Sequence, residues 1–541
     1  MTRILATCCF FLILVGISVA IQPTVALATP PFDDHAAESI ISDITDEVRA
    51  IAKRPYSPPD AGLPESLQKL DYDGYRKIVF KRDKAIHLSS SNFELELFHR
   101  GYIFPNRVQV VATQLIDYHR KLQDKTFEYK PIPYSPDLFT FHGSPLTGLR
   151  DDLGFAGLRL LYPLNPDTEG LDEVISFLGS SYFRALDTGS AYGSSARGLA
   201  VNIGIFDRHE EFPVFTKFWL IPRPILGPDM GQRVAALLES PSITGFYLFT
   251  INPGSPTTVW VQMILYPREK IDKLGIAPLT SMFLYGEAGA KGNVHVDHRP
   301  EVHDADGLLI QLDDEQTVWH PLENPTEHRT THFEFKNIHS FGLMQRDKNV
   351  KHYNDFETNQ HVRPSIIVSP YDISPDSELF PHDDGHLELL EIASHDEGMD
   401  NIGAYWILDQ PVMPNSEMTF AYKLTFTHLP VEPVSKFNVQ NMQYEKQADG
   451  RIAYTVTFIP NPKNVKENDQ DITARVTADN KPVLSQVSHD KATGLVTVTF
   501  AIEPNEHSTK SLRAQLHTSS GAPFDISEIW SFTCPKTKPN P

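Results

Sequence analysis

Short runs of alternating apolar and polar residues, cut again and again by Pro, Gly, Asn and Asp, commit this chain to packed β-sheets. Such runs fall at residues 77–81, 93–98, 107–113, 155–164, 243–252, 258–266, 331–336, 387–393 and 418–426. In the second of them Phe93, Leu95 and Leu97 lie on one side of an extended chain, with Glu94 and Glu96 on the other. Helical spacing is clear only at 34–53, where Ile40, Ile41, Ile44, Val48 and Ile51 make one apolar stripe. Parallel sheets need long crossovers, usually helical, and those are missing. The expected class is therefore all-β, with a large N-terminal antiparallel β-sandwich.

The pattern breaks at residues 428–435, a Pro-rich stretch that reads as a linker. Beyond it some seven strand signals follow, including the alternation of Ile452, Tyr454, Val456 and Phe458 and the runs at 495–500 and 526–532. That count suits an immunoglobulin-like sandwich without the intersheet disulfide. At the other end, Arg3, an apolar run from Ile4 to Ile21 and the small residues Ala26 and Ala28 spell a signal peptide, cleaved before Thr29. The expected organisation is a leader at 1–28, a β-sandwich domain at 29–429 and an immunoglobulin-like domain at 430–535. After cleavage Cys534 is the one remaining cysteine, so no intrachain disulfide can form. The chain must then rely on a sizeable core. Its formal charge of −21 becomes one unit more negative when Arg3 leaves. Such a surface disfavours nucleic acid and anionic lipid and suits a neutral partner. No later stretch has membrane-spanning length, so no stable membrane insertion is expected once the leader is removed.

Two acidic segments could carry chemistry, 299–307 and 397–406. Each sets carboxylates in a Gly-containing loop at a strand edge, where side chains reach a cleft. Cleaving a glycosidic bond takes one protonated carboxyl at the leaving oxygen and a second, ionised group that activates the nucleophile. The plain alternative is that Asp304, Asp306 and Asp400 close turns through side-chain hydrogen bonds. His295, His298 and His303 cluster beside Asp297 and Asp304, but their spacing is not that of a zinc motif. Asp304-Ala-Asp-Gly307 resembles the start of a calcium loop whose remaining ligands do not follow. No metal and no organic cofactor is expected. Gly193-Ser-Ser-Ala-Arg197 is not a nucleophile elbow. Pyranose faces stack on aromatic rings, and Tyr182, Tyr192, Trp219, Tyr285, Trp319, Tyr353 and Trp406 are the candidates, against the ordinary reading that sandwich aromatics are core.

A dozen segments in one order resemble the OpgG/OpgD (MdoG/MdoD) family of osmoregulated periplasmic glucan biosynthesis proteins. They include Phe98-His-Arg-Gly101, Asp152-Leu-Gly-Phe-Ala-Gly157, Leu178-Gly-Ser-Ser-Tyr-Phe-Arg184 and the run from Ala191 to Ala200. Glu211-Phe-Pro-Val-Phe215, Phe218-Trp219, Leu279-Thr-Ser-Met-Phe283 and Arg299-Pro-Glu-Val-His-Asp304 follow. Phe341-Gly-Leu-Met-Gln-Arg346, Arg363-Pro-Ser365 and Asp400-Asn-Ile-Gly-Ala-Tyr-Trp406 complete the set.

The resemblance implies a galactose-mutarotase-like N-terminal sandwich with a long cleft, a periplasmic location and β-1,2-glucan as ligand. It implies an inverting endo-β-1,2-glucanase with Asp400 as general acid and Asp304 as base, directly or through a relay. Two alternatives stay open: a transglycosylase, and a non-catalytic glucan-binding or assembly protein that works with the synthesis and export machinery. The candidate substrate contacts are Tyr192, Arg197, Trp219, Arg299, Tyr353 and Glu397, the last also as a like charge that would keep Asp400 protonated. Two departures flank the expected cleft. Residues 371–385 lack an expected Trp-Gly-Lys-Gly element, and the loop at 286–298 is long and rich in Gly and His.

Overall fold

The computed structural model describes residues 35–88, 92–115, 127–142, 149–150, 152–166, 170–207, 209–221, 231–287, 297–312, 316–370, 385–431, 435–463, 472–505, 508–518, 526–534 and 536. The leader, His295 and most of the 371–385 segment lie outside them.

Two large sheets face each other. One has 11 strands and runs from Ile86–His87 at one edge to Arg329–Phe333 at the other. Period-2 alternation gives each of its strands two faces. Leu95, Leu97, Leu158, Leu160, Ile175, Phe177, Phe183, Ala196 and Leu279 point inward and are at most 2% exposed. They meet Val110, Phe218, Val234, Phe249, Val261, Met263 and Phe426 from the second sheet in one continuous core. Each such side chain, fully buried, stabilises the fold by roughly 1.5–3 kcal/mol. Gly157 shows how closely neighbouring strands approach: a Cβ there would lie 2.0 Å from the Phe177 carbonyl oxygen.

The second sheet has 15 strands. Its outer face carries the helix α1 (His35–Ala52), which buries Ile40, Ile44 and Val48 against Trp219, Leu237, Phe246 and Leu248, as the apolar stripe predicted. The expectation of an antiparallel sandwich holds among the described strands apart from the parallel pairings of Val214–Ile221 with Gln109–Leu115 and of Thr317–Pro321 with Ile529–Cys534, and an isolated parallel bridge between Phe437 and Ser527.

The second parallel pairing has a structural consequence. The described strands between Phe437 and Cys534 form a four-stranded sheet opposite four strands that continue the 15-stranded sheet. Their core, built on Tyr454, Val456, Phe458, Phe500 and Trp530, also takes in Leu309, Trp319 and Met344 of the larger unit. The C-terminal sandwich is thus hydrogen-bonded to the N-terminal one rather than tethered to it. Arg346 fastens the junction, with its guanidinium 2.7 Å from the buried Glu528 and 3.7 Å from the centre of the Trp319 ring. Gly307 makes room for that ring, since a Cβ there would lie 2.1 Å from it. Asp306, in the calcium-like stretch, accepts the backbone N–H groups of Arg346 and Asp347 at 2.8 Å each. Asp306 therefore holds a segment forty residues further along the chain instead of closing its own turn.

Candidate functional site

The outer face of the 11-stranded sheet is not a plain solvated surface. Across six strands, directly opposed residues form one polar row. Glu96 faces Arg159, Arg159 faces Ser176, and Ser176 faces Arg184. Arg184 then faces Ser195, and Ser195 faces Thr280. At the usual strand spacing the row is roughly 24 Å long. The Glu96 side chain, on the face opposite Leu95 and Leu97, is 2% exposed and bound by Arg159 at 2.6 Å and Arg82 at 3.2 Å. A cleft of about 690 Å³ lies over the middle of the row, lined by Ser176, Arg184, Ser195, Tyr182, Phe98 and Phe104 among others, with Met399 and Asp400 also in its wall.

Asp400 lies two residues before the strand Ile402–Leu408 and is exposed. The Thr280 hydroxyl donates to its Oδ2 at 3.3 Å. Asp304 follows the strand Val302–His303 and is set back from the cleft, with 19% of its side chain exposed. The Arg363 guanidinium lies 2.8 Å from Asp304 Oδ1, an ion pair without hydrogen-bond geometry. Burial pushes the Asp304 carboxyl above its ordinary value. Arg363 opposes that rise, and the charge of Asp400 adds to it. The Arg363 charge in turn interacts with Asp304, Arg184, Asp400 and Tyr192. The Tyr192 ring, 44% exposed, lies 5.4 Å from that guanidinium. Two carboxylates from loops almost a hundred residues apart therefore share one electrostatic cluster at the end of the polar row.

Their relative position is held by the backbone between them. The Asp304 N–H donates to Met282 O at 2.8 Å. One residue on, the Phe283 N–H and C=O are both taken by the side chain of Asn401. A second tie joins the loops further out, where Arg299 binds Glu397 at 2.8 Å, Asp297 at 2.7 Å and Asp355 at 3.3 Å.

Several expected substrate contacts are corrected here. Trp219 is 1% exposed and lies under α1 on the far sheet, with the Lys217 ammonium 4.4 Å over its ring. Tyr353 is wholly buried and its hydroxyl donates to Asp347 O. Neither ring can meet a sugar. Arg197 is 3% exposed, ion-paired with Glu210 at 2.7 Å and packed 5.3 Å from the Tyr182 ring, so it supports a cleft aromatic from beneath. Arg299 and Glu397 engage each other, so Glu397 is a compensated charge rather than a bare neighbour of Asp400. Of the clustered histidines, His295 lies outside the described residues, and the other two do not converge. His303 is buried between Glu301 and Gln345, while His298 is exposed.

Sequence reasoning missed Arg159, Arg184, Ser195, Thr280 and Arg363 as site residues. The available signal was slight: Arg159 and Arg184 are single polar residues within the apolar strands Phe155–Tyr162 and Tyr182–Ala185, while Ser195, Thr280 and Arg363 have no such mark. Only the register lines them up.

The family model described as "Periplasmic glucan biosynthesis protein, MdoG" matches residues 40–534. Among solved structures, the Slr1438 protein from Synechocystis sp. PCC 6803 matches at 12% identity, over 65% of this chain and 98% of that one. Its TM-score of 0.15 carries no structural argument.

Proposed function

Since this chain belongs to the MdoG family of periplasmic glucan biosynthesis proteins, we propose that its polar row binds a glucan chain and that Asp400 and Asp304 cleave it with inversion, as an endo-β-1,2-glucanase. The observation that carries the proposal is the shared charge cluster of Asp304, Arg363, Arg184 and Asp400, of which Arg184 and Asp400 line the cleft. A row of hydroxyls, guanidinium groups and one carboxylate, with Tyr182 and Phe98 beside it, suits a neutral polymer whose sugars present hydroxyls at their edges and apolar faces between them.

In this reading Asp400 donates a proton to the glycosidic oxygen. Thr280 fixes Oδ2, which leaves Oδ1 to carry the proton. Asp304 takes a proton from the attacking water, directly or through a relay. A base works best when its pKa approaches the working pH, and burial moves Asp304 in that direction while Arg363 keeps its ionised form supported. Neither step calls for a metal.

Incubation of the purified chain with linear β-1,2-glucan tests the proposal. New reducing ends are expected. Redistribution or cyclisation without them would mean transfer, and an unchanged polymer would leave binding alone. Asp400→Asn should lower turnover by about a thousandfold or more while glucan affinity stays within about tenfold. An activated leaving group should restore cleavage in Asp400→Asn but not in Asp304→Asn. The reverse pattern would exchange the two roles.

A further inference from the structure

At the far end of the strand that begins beside Asp400 sits a second group of chemically capable side chains. His386 and Glu388 lie two residues apart on Gly385–Glu391, so both point to the same face. His332, on the edge strand Arg329–Phe333, is directly opposite Glu388. The Nε2 atoms of His332 and His386 are 3.3 and 3.2 Å from the same oxygen, Glu388 Oε1. His386 turns its other nitrogen, Nδ1, to Asp409 Oδ1 at 2.6 Å. Glu388 is 2% exposed, and its second oxygen, Oε2, is 2.5 Å from the Lys273 ammonium. The His332 side chain is 57% exposed and that of His386 27%, so the face opens to solvent.

We propose that His332, His386 and Glu388 form a binding site for a divalent transition-metal ion of the zinc type, with water in the fourth position. The three donor atoms lie within 4.8 Å of one another. A tetrahedral ion with bonds of about 2.0–2.1 Å holds its ligand atoms about 3.3–3.4 Å apart. The two imidazole-to-carboxylate distances match that edge. The ring centres of two histidines on such an ion lie about 5.2 Å apart, and here they are 5.1 Å apart, with planes inclined by 16°. Asp409 supplies the outer carboxylate that commonly orients a metal-bound histidine: by accepting the Nδ1 proton it leaves the Nε2 lone pair for the ion. All three ligands stand on paired strands, so the site is built before any ion arrives. The competing arrangement is a protonated His386 bridging Glu388 and Asp409, with no ion. Lys273 occupies Oε2 in either case, so Glu388 would bind through one oxygen. An ion here would staple the edge strand Arg329–Phe333 to its neighbour, well away from the glucan cleft.

Equilibrium dialysis of the full chain, without a histidine tag, against Zn²⁺ tests this. The expected result is one ion per chain with a Kd of about 10 µM or tighter, and Co²⁺ should show the visible absorption of a tetrahedral site. His332→Asn and His386→Asn should each weaken binding at least tenfold, and Asp409→Asn by about 10–100-fold. His332 is exposed, so its variant decides the matter even if another fails to fold. His352→Asn removes a member of a separate acidic group, Glu287, Glu301, Asp347 and His352, and should change nothing. Absence of binding, or affinity that survives His332→Asn, or binding lost in His352→Asn instead, would overturn the proposal.

Discussion

Asn401 closes a two-way hydrogen bond with the backbone of Phe283: its Oδ1 accepts the Phe283 N–H at 2.8 Å and its Nδ2 donates to the Phe283 carbonyl at 2.9 Å. The residue next to the proposed acid therefore grips the segment whose neighbour, Met282, receives the backbone N–H of the proposed base. Asn401→Ala leaves two buried backbone groups without their partner, at a cost of about 2–4 kcal/mol. Thermal unfolding should move down accordingly. Turnover should fall at least tenfold with glucan affinity nearly unchanged, because the defect is in alignment rather than in the cleft.

The tie between Arg299 and Glu397 acts on the same two loops from the solvent side. It is partly exposed, so its coupling should be modest, on the order of 1 kcal/mol. Arg299→Met and Glu397→Gln should each reduce kcat/KM, and the double variant should be little worse than the poorer single one. Full additivity in that kinetic cycle would mean that the two side chains act separately.

Tyr182 borders the cleft and rests on Arg197. Tyr182→Ala removes an aromatic face without opening the core. Affinity for long glucan should drop about tenfold, which corresponds to roughly 1.4 kcal/mol, and the unfolding midpoint should hold. Ser176→Trp, in the middle of the polar row, should block long chains more than short ones. Titration with glucans of defined length separates the two effects.

Acid should weaken this fold through its buried histidines. His320 is pushed down to about 3 and His99 to about 4, both by burial. The unfolded chain titrates near 6.5. Between those values the unfolded state binds more protons, so stability present above pH 6.5 is lost as pH falls toward 3. His303 works in the opposite direction: burial lowers it, but its hydrogen bonds with Glu301 and Gln345 and the charges of Asp306 and Glu301 together outweigh that and raise it, so its contribution is fullest in acid and fades as pH rises through the folded value. His320 packs against Phe333 and Phe532. His320→Phe should flatten the acid limb by at most about 4 kcal/mol, read from denaturant midpoints at pH 7 and pH 4.

The period of apolar residues was enough to determine the class of fold, the position of α1 and most strands, because local alternation needs only neighbouring residues to be read. Ile243–Asn252 and Met418–Thr427 fall where the alternation put them, within a residue. Family segments likewise drew attention to Asp304 and Asp400. What no local pattern holds is which residue faces which across a sheet. Arg159, Ser176, Arg184, Ser195 and Thr280 become one row only through strand register, and a shift of one residue would turn each of them inward. Burial was decided at the same level. Tyr182 and Trp219 look equally available along the chain, yet one lines the cleft and the other lies under a helix, because exposure depends on what packs above a side chain and not on its sequence neighbours.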